Sequence, residues 1–347
     1  MSDIDISGLD IGAWEAQWDA IMAQSYSGTL TNLLDELASG NFSLDPDQVW
    51  RFILALFSDA LKNSVFSYIA IIAVAFICSV IGIISPSDSA GGAGAFVCFG
   101  MGTAIAAKRL ASLFALAVST ISLLCGCMDA IAPVLSIVIA ASGGTGTAAA
   151  ITPLAAFLSG TVASIFKNAV LPVCAAAGVC ALLGAAAADE KLEHMFKLLK
   201  SFIRWLSGAV FTVYFGILAA WGLSTKASDS VAVKSAKYAL DKGVPIVGGA
   251  MSGTMDSVLA SAGLIKNAAG TAALITIAAA AALPLITIGC SALAARGTAA
   301  ICGFMGDKRT PNLMERTADV ANGLFAAVSA VAVMFMLTVG LAFVSFE

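Results

Sequence analysis

Residues 64–84 read SVFSYIAIIAVAFICSVIGII, a stretch with no charge that is dense in Ile, Val, Phe and Ala. About 20 such residues in a helix cross the ~30 Å hydrocarbon core of a bilayer, so the segment reads as a transmembrane helix. Marking every Asp, Glu, Lys, Arg and His on either side leaves further uncharged runs at 89–107, 110–128, 130–166, 168–188, 205–225, 267–295 and 320–346. Of the 347 residues, 59% are hydrophobic and only 12% are charged, against about 25% charged in an ordinary globular domain. The mean hydropathy is +0.94. Barrel strands would appear as ~10-residue alternating segments instead. The chain is therefore expected to be an all-α polytopic membrane protein.

Six spans stand out, at 64–84, 110–128, 168–188, 205–223, 269–290 and 322–345, and about six to seven transmembrane helices are expected. The segments 91–107 (GGAGAFVCFGMGTAIAA) and 130–166 are heavy in Gly, Ala, Ser and Thr, and the second carries Pro133, SGGTGT and Pro153. Irregular backbone survives at membrane depth only inside protein or beside water. Both segments are accordingly expected to be re-entrant or buried in the bundle.

The N-terminus has a different character. Asp3, Asp5, Asp10, Glu15, Asp19, Asp35, Glu36, Asp45 and Asp47 occur in the first 50 residues without any Lys or Arg. Because basic residues near spans are retained in the cytoplasm, residues 1–46 are expected to form an acidic, soluble, extracytoplasmic segment. No basic n-region followed by an apolar h-region is visible, so no signal peptide is read in the chain. Residues 47–62 (DQVWRFILALFSDALK starts at Asp47) place Val49, Phe52, Ile53, Leu56 and Ala60 at helical spacing. They read either as an interfacial amphipathic helix anchored by Trp50 and Arg51 or as a helix packed on the bundle. Residues 63–347 form the helical transmembrane domain. The charged linkers 188–205, 224–243 and 306–319 compete for the cytoplasmic side, so the distribution of Lys and Arg does not orient the bundle.

Within that domain the order of parts repeats. In 130–225, a small-residue stretch leads to FKNAVLP (166–171 and Pro172), an apolar helix, a loop containing DEK and a final span. In 243–347, a glycine-rich stretch leads to IKNAAGT (265–271), an apolar helix, a loop containing DKR and a final span. An internal duplication of this kind is a common construction in transport proteins.

The stretch VPIVGGAMSGTMDS, 244–257, places Pro245, Gly248, Gly249 and Gly253 in the apolar half of the chain. They are expected either to break a helix in a sheltered place or, through the Gly249–Gly253 step, to let two helices approach closely. Asp129, Asp256, Lys167 and Lys266 are the candidate intramembrane polar residues that line a path. A charge at the bilayer centre costs ~2.5–3.5 kcal/mol on the insertion scale, so the short side chains of Asp129 and Asp256 are expected in the interior. Lys167 and Lys266 are expected to snorkel from helix ends.

Enzymatic chemistry finds little support. His194 is the single histidine and lies in a charged linker, away from any Ser or Cys nucleophile context. The eight cysteines sit in apolar runs and read as small buried residues. Cys125 and Cys127 lack a second ligand pair for zinc. No phosphate loop or dinucleotide fingerprint occurs. A pI near 5.0 argues against nucleic-acid binding. No catalytic site, cofactor or metal is expected.

The stretch AVKSAKYALDKGVPIVGGAMSGTMDSVLASAGLIKNAAG, 232–270, resembles the signature region of the stage III sporulation protein AE family: a Lys-rich lead-in, Pro-x-Val-Gly-Gly, an Asp-x-Val-Leu step and Ile-Lys-Asn-Ala follow in that order. The likeness extends more loosely from about residue 44 to the C-terminus. It implies a multi-pass component, in the mother-cell membrane surrounding the forespore, of the channel complex that joins the two cells of an endospore-former. It further implies partners from the same sporulation operon, a forespore-side membrane partner, and homo- or hetero-oligomers in contact with membrane lipid. Members of the family often begin with a cleavable signal sequence. The residues alone leave two other readings open, a self-contained secondary transporter and a non-conducting membrane scaffold.

Overall fold

A computed structural model describes residues 11–22, 29–39, 46–84, 89–142, 145–187, 190–243, 248–304 and 309–344, with side chains at 46–49, 52, 81–84, 89–93, 95, 186–187, 190, 221–243, 248–262 and 343–344 outside the description. Every regular element among the described residues is helical. Two short helices, α1 (Gly12–Met22) and α2 (Leu30–Ala38), precede the long ones: α3 (Pro46–Ile84), α4 (Ser89–Ala141), α8 (Glu190–Gly243), α9 (Gly248–Gly303) and α10 (Arg309–Val344). Between α4 and α8 the chain runs through α5 (Thr145–Ala156), a π-helical turn (Phe157–Val162), α6 (Ala163–Ile165), a second π-helical turn (Phe166–Val170) and α7 (Leu171–Ala187). Six of these stretches are long and apolar enough to cross a membrane, and each overlaps one of the six strong spans of the sequence. The protein is an integral membrane protein.

The helices outrun the spans. With 53, 54 and 56 residues, α4, α8 and α9 are each about 80 Å long at 1.5 Å per residue. That is more than twice the thickness of a hydrocarbon core, so each carries turns beyond it or crosses it obliquely. The small-residue segment 91–107 is not a re-entrant loop: it is the first part of α4. The segment 130–166 divides between the end of α4, which passes through Pro133 without breaking, and the α5–α6 stretch. Where water is absent the helix satisfies its own backbone groups, and this outweighs the low helix propensity of Gly.

The two π-helical turns are real departures from regularity. The Ala163 N–H bonds Leu158 O, and the Leu171 N–H bonds Phe166 O, each five residues back. Pro172 lies two residues beyond the last residue of the second turn; it has no N–H to donate and its ring crowds the carbonyl four residues earlier, inside that turn, which a wider turn relieves. Such π-bulges concentrate at functional sites.

The described parts of the N-terminal segment, residues 11–22 and 29–39, are not a free acidic tail. Trp14 and Trp18 of α1 and Leu30, Leu33, Leu34 and Ala38 of α2 are buried in the main core. The apolar positions of LTNLLDELA fall at i, i+3, i+4 and i+8, on one face, while Asp35 and Glu36 point outward, so the helix is amphipathic despite its charge. Thr29 caps it by accepting from the Asn32 N–H at 3.3 Å. Residues 47–62 form no separate helix, because α3 runs unbroken from Pro46 to Ile84. Trp50, Ile53, Leu54 and Phe57 on it are exposed.

At the centre is α9, which packs on α1, α2, α3, α4, α8 and α10, most extensively on α10. Its buried face is small: Ala272, Ala273, Ala280, Ala281, Ala292 and Ala295. Small residues let helix backbones approach closely, which matters in lipid because apolar transfer alone gives no preference for a neighbouring helix over an acyl chain. Larger side chains fill the remaining space, Phe166 from the second π turn, Leu324, Val328 and Phe335 from α10, and Ile121, Leu124 and Met128 from α4.

Candidate functional site

The candidate polar residues separate rather than converge. Asp129 lies on α4 with Cys127, Met128, Ala130 and Ile131 buried around it, and it alone of these is exposed. The interior position expected for it is not observed: the rotation of α4 that buries Met128 and Ile131 turns Asp129 outward. Its Oδ1 accepts from Ser159 Oγ at 2.7 Å, and Ser159 belongs to the first π-helical turn. One helical turn earlier on α4, Cys125 directs its Sγ to Ser159 O at 3.8 Å and lies within the electrostatic field of both Asp129 and Lys167. Lys167, half-buried, sits in the second π turn. Asp129 and Ser159 thus form a polar pair between two membrane-crossing stretches, with Cys125 beside it.

Lys266 does not snorkel. It lies well inside α9 rather than at its end and is only 4% exposed, flanked by buried Ala268 and Ala269. Nor is it without a partner. Gly248, Gly249 and Gly253 open α9 as continuous helical backbone, not as an interruption within a helix. Asp256 lies in the same helix, and its side chain is outside the described residues. Pro245 is also outside them, in the 244–247 stretch between the end of α8 and the start of α9.

Two polar constellations were not anticipated from the sequence. In the first, Arg109 of α4 donates from Nε to Ser291 Oγ and from Nη2 to Ser64 Oγ, both at 3.3 Å, and Tyr68 Oη pairs with Ser291 Oγ at 3.2 Å. Ser64, Tyr68 and Ser291 are buried, so this network ties α3, α4 and α9 together. In the second, Lys200 of α8 meets Asp319 of α10 at 2.6 Å, and Arg296 of α9 approaches the other carboxylate oxygen at 3.9 Å. They border a cavity of about 370 Å³ that Arg204 also lines. The sequence signal was present but linear: Arg204, Arg296 and Asp319 are the charges that bound the uncharged runs at 205–225, 267–295 and 320–346.

Among the described residues no group of three His, Cys, Asp or Glu side chains is placed to hold a metal ion. The family model for stage III sporulation protein AE matches residues 29–345. A relative from Bacillus subtilis (strain 168), stage III sporulation protein AE, is 24% identical over 209 residues, covering 60% of this chain and 52% of the relative. The chain therefore aligns with about half the length of that relative. No solved structure matches.

Proposed function

From the premise that the chain belongs to the stage III sporulation protein AE family, which gives it a role in sporulation, we propose that it is a membrane component of the channel complex linking mother cell and forespore. On this reading it resides in the mother-cell membrane around the forespore and assembles with proteins of its operon and a forespore-side membrane partner, as part of a conduit for small molecules. The observation that supports assembly most directly is Asp129. It is exposed at the end of the uncharged run 110–128 on a membrane-crossing helix, and contact with lipid would cost up to ~2.5–3.5 kcal/mol, the figure for a charge at the bilayer centre. A neighbouring subunit or an aqueous path removes that cost, and the first π turn, which brings Ser159 to Asp129, fits a surface shaped for contact.

Liposomes containing the purified full chain, alone and with its operon partners, test the reading. Solute leakage that requires the partners supports a channel subunit. Saturable uptake by the chain alone identifies a secondary transporter, and no flux in either preparation identifies a scaffold. In a sporulating host, Asp129→Asn is expected to lower spore yield and partner co-purification while the protein accumulates normally in the membrane. Unchanged yield and unchanged co-purification would remove Asp129 from the assembly surface.

A further inference from the structure

The cavity between α7, α8, α9 and α10 has two unlike walls. One is cationic: Lys200, Arg204 and Arg296 face a single carboxylate, Asp319. Lys200 already neutralises Asp319 at 2.6 Å, and Arg296 touches it only at 3.9 Å, leaving most of its guanidinium donors unused among the described residues. Arg204 has no hydrogen bond or ion pair among the described residues. The other wall is apolar and low, built by Ala177, Val320, Gly323 and Ala326.

Its depth in the fold is equally specific. Arg204, Arg296 and Asp319 adjoin uncharged runs on three different helices, so the cavity lies where the polar part of the bundle gives way to the apolar part. Phe202 and Trp205, both exposed and with ring centroids 6.0 Å apart, flank it on α8, as aromatic side chains do at membrane interfaces. Two guanidinium groups with unused donors match a phosphate, which they bind through charge-assisted, bidentate hydrogen bonds. The apolar wall continues from that position toward the uncharged runs, as an acyl chain would.

We propose that this cavity is a binding site for an anionic phospholipid, with Arg204 and Arg296 holding the phosphate and the Ala177–Val320–Gly323–Ala326 wall receiving the start of an acyl chain. Basic pockets between membrane helices are suited to such headgroups. The site is independent of the channel reading, since it depends on the cavity alone and not on partners or conduction.

The test uses the full chain in detergent, with native mass spectrometry and thermal melting on adding phosphatidylglycerol, phosphatidylcholine of the same acyl chains, or inorganic phosphate alone. Phosphatidylglycerol is expected to stay bound and to raise the Tm, phosphatidylcholine to do so less, and inorganic phosphate not at all. The double variant Arg204→Gln/Arg296→Gln is expected to bind phosphatidylglycerol at least about tenfold more weakly, the equivalent of one lost charge-assisted contact. Lys62→Gln, which alters an exposed charge on α3, leaves binding unchanged. Should the double variant fail to fold, photo-crosslinking of phosphatidylglycerol to the unaltered protein gives the same answer, with labelled peptides expected from α8 and α10 around the cavity. Equal binding by the double variant, or crosslinks confined to other faces, overturns the site. Inorganic phosphate stabilising as strongly as phosphatidylglycerol overturns the lipid assignment in favour of a soluble phosphate compound.

Discussion

The Trp14 indole donates a hydrogen bond of 3.1 Å to Thr276 Oγ1, joining α1 to the middle of α9 across 262 residues of sequence. Thr276 Oγ1 donates in turn to Ala272 O at 2.8 Å, so its single proton is committed and it meets the indole N–H as an acceptor. Both residues are buried.

Trp14→Ala should therefore loosen the N-terminal helices from the bundle, at a cost of about 3–5 kcal/mol for deleting a large buried aromatic. Trp14→Phe keeps most of the packing and loses about 1 kcal/mol for the hydrogen bond. Limited proteolysis and thermal melting in detergent read both: cleavage within α1 and α2 should rise sharply in the alanine variant and slightly in the phenylalanine variant. Equal resistance in all three proteins would mean that α1 contributes nothing to the bundle's stability.

Gly184 allows α7 to pass close to Arg316. A Cβ there would lie 2.7 Å from Arg316 Nη1 and 3.2 Å from Leu192 Cβ. The guanidinium has little freedom to move, because Nε donates to Asn312 Oδ1 at 3.0 Å, Nη2 lies 3.4 Å from Glu193 Oε2, and the group sits 6.0 Å from the centre of the Phe196 ring. Gly184→Ala is expected to destabilise by about 1–3 kcal/mol, the usual cost of overpacking. Gly297→Ala has the opposite sign: nothing lies within 4 Å of its added Cβ, so it should stabilise α9 by up to ~1 kcal/mol through helix propensity. A higher Tm for the first variant would show that Arg316 moves aside freely.

Tyr214 links α8 to α10. Its hydroxyl donates to Met334 O at 2.7 Å and pairs with Thr338 Oγ1 at 2.8 Å, in a buried setting. Tyr214→Phe should cost about 1–2 kcal/mol. The loss should be smaller when Thr338→Val is already present, because the two hydroxyls share one network and coupled residues are not additive. A double-mutant cycle on Tm measures this, and strict additivity would deny the coupling.

Arg109 is expected to depend on the shape of its guanidinium as well as its charge. It reaches Ser64 and Ser291 from two different nitrogens, a fork that an ammonium on a flexible stem does not reproduce. Arg109→Lys should thus lose about 1–2 kcal/mol through unpaired buried hydroxyls. Ser64→Ala combined with Arg109→Lys should then cost little beyond Arg109→Lys alone. If Arg109→Lys melts with the unaltered protein, the network is not structural.

The membrane-helix class and the six spans were legible in the sequence, because hydropathy sums along the chain and a run of ~20 uncharged residues has few alternatives to a bilayer helix. The signature at 232–270 was equally legible, since order and spacing are linear properties. Burial of α2 was only half visible: Leu30, Leu33 and Leu34 share a face, but nothing local says whether a surface exists to receive it, and the neighbouring carboxylates suggested solvent.

What only the tertiary structure decided is rotation and depth. Whether Asp129 points in or out depends on which side of α4 packs, set by Met128 and Ile131 against distant helices. Lys266 is buried because α9 begins 18 residues before it, a helix boundary that composition does not mark. Arg204, Arg296 and Asp319 bound separate apolar runs as the sequence is read, yet they border one cavity because α8, α9 and α10 bring those boundaries to the same level. Hydropathy determines which segments leave water; the packing of small residues on α9 determines which side chains then meet.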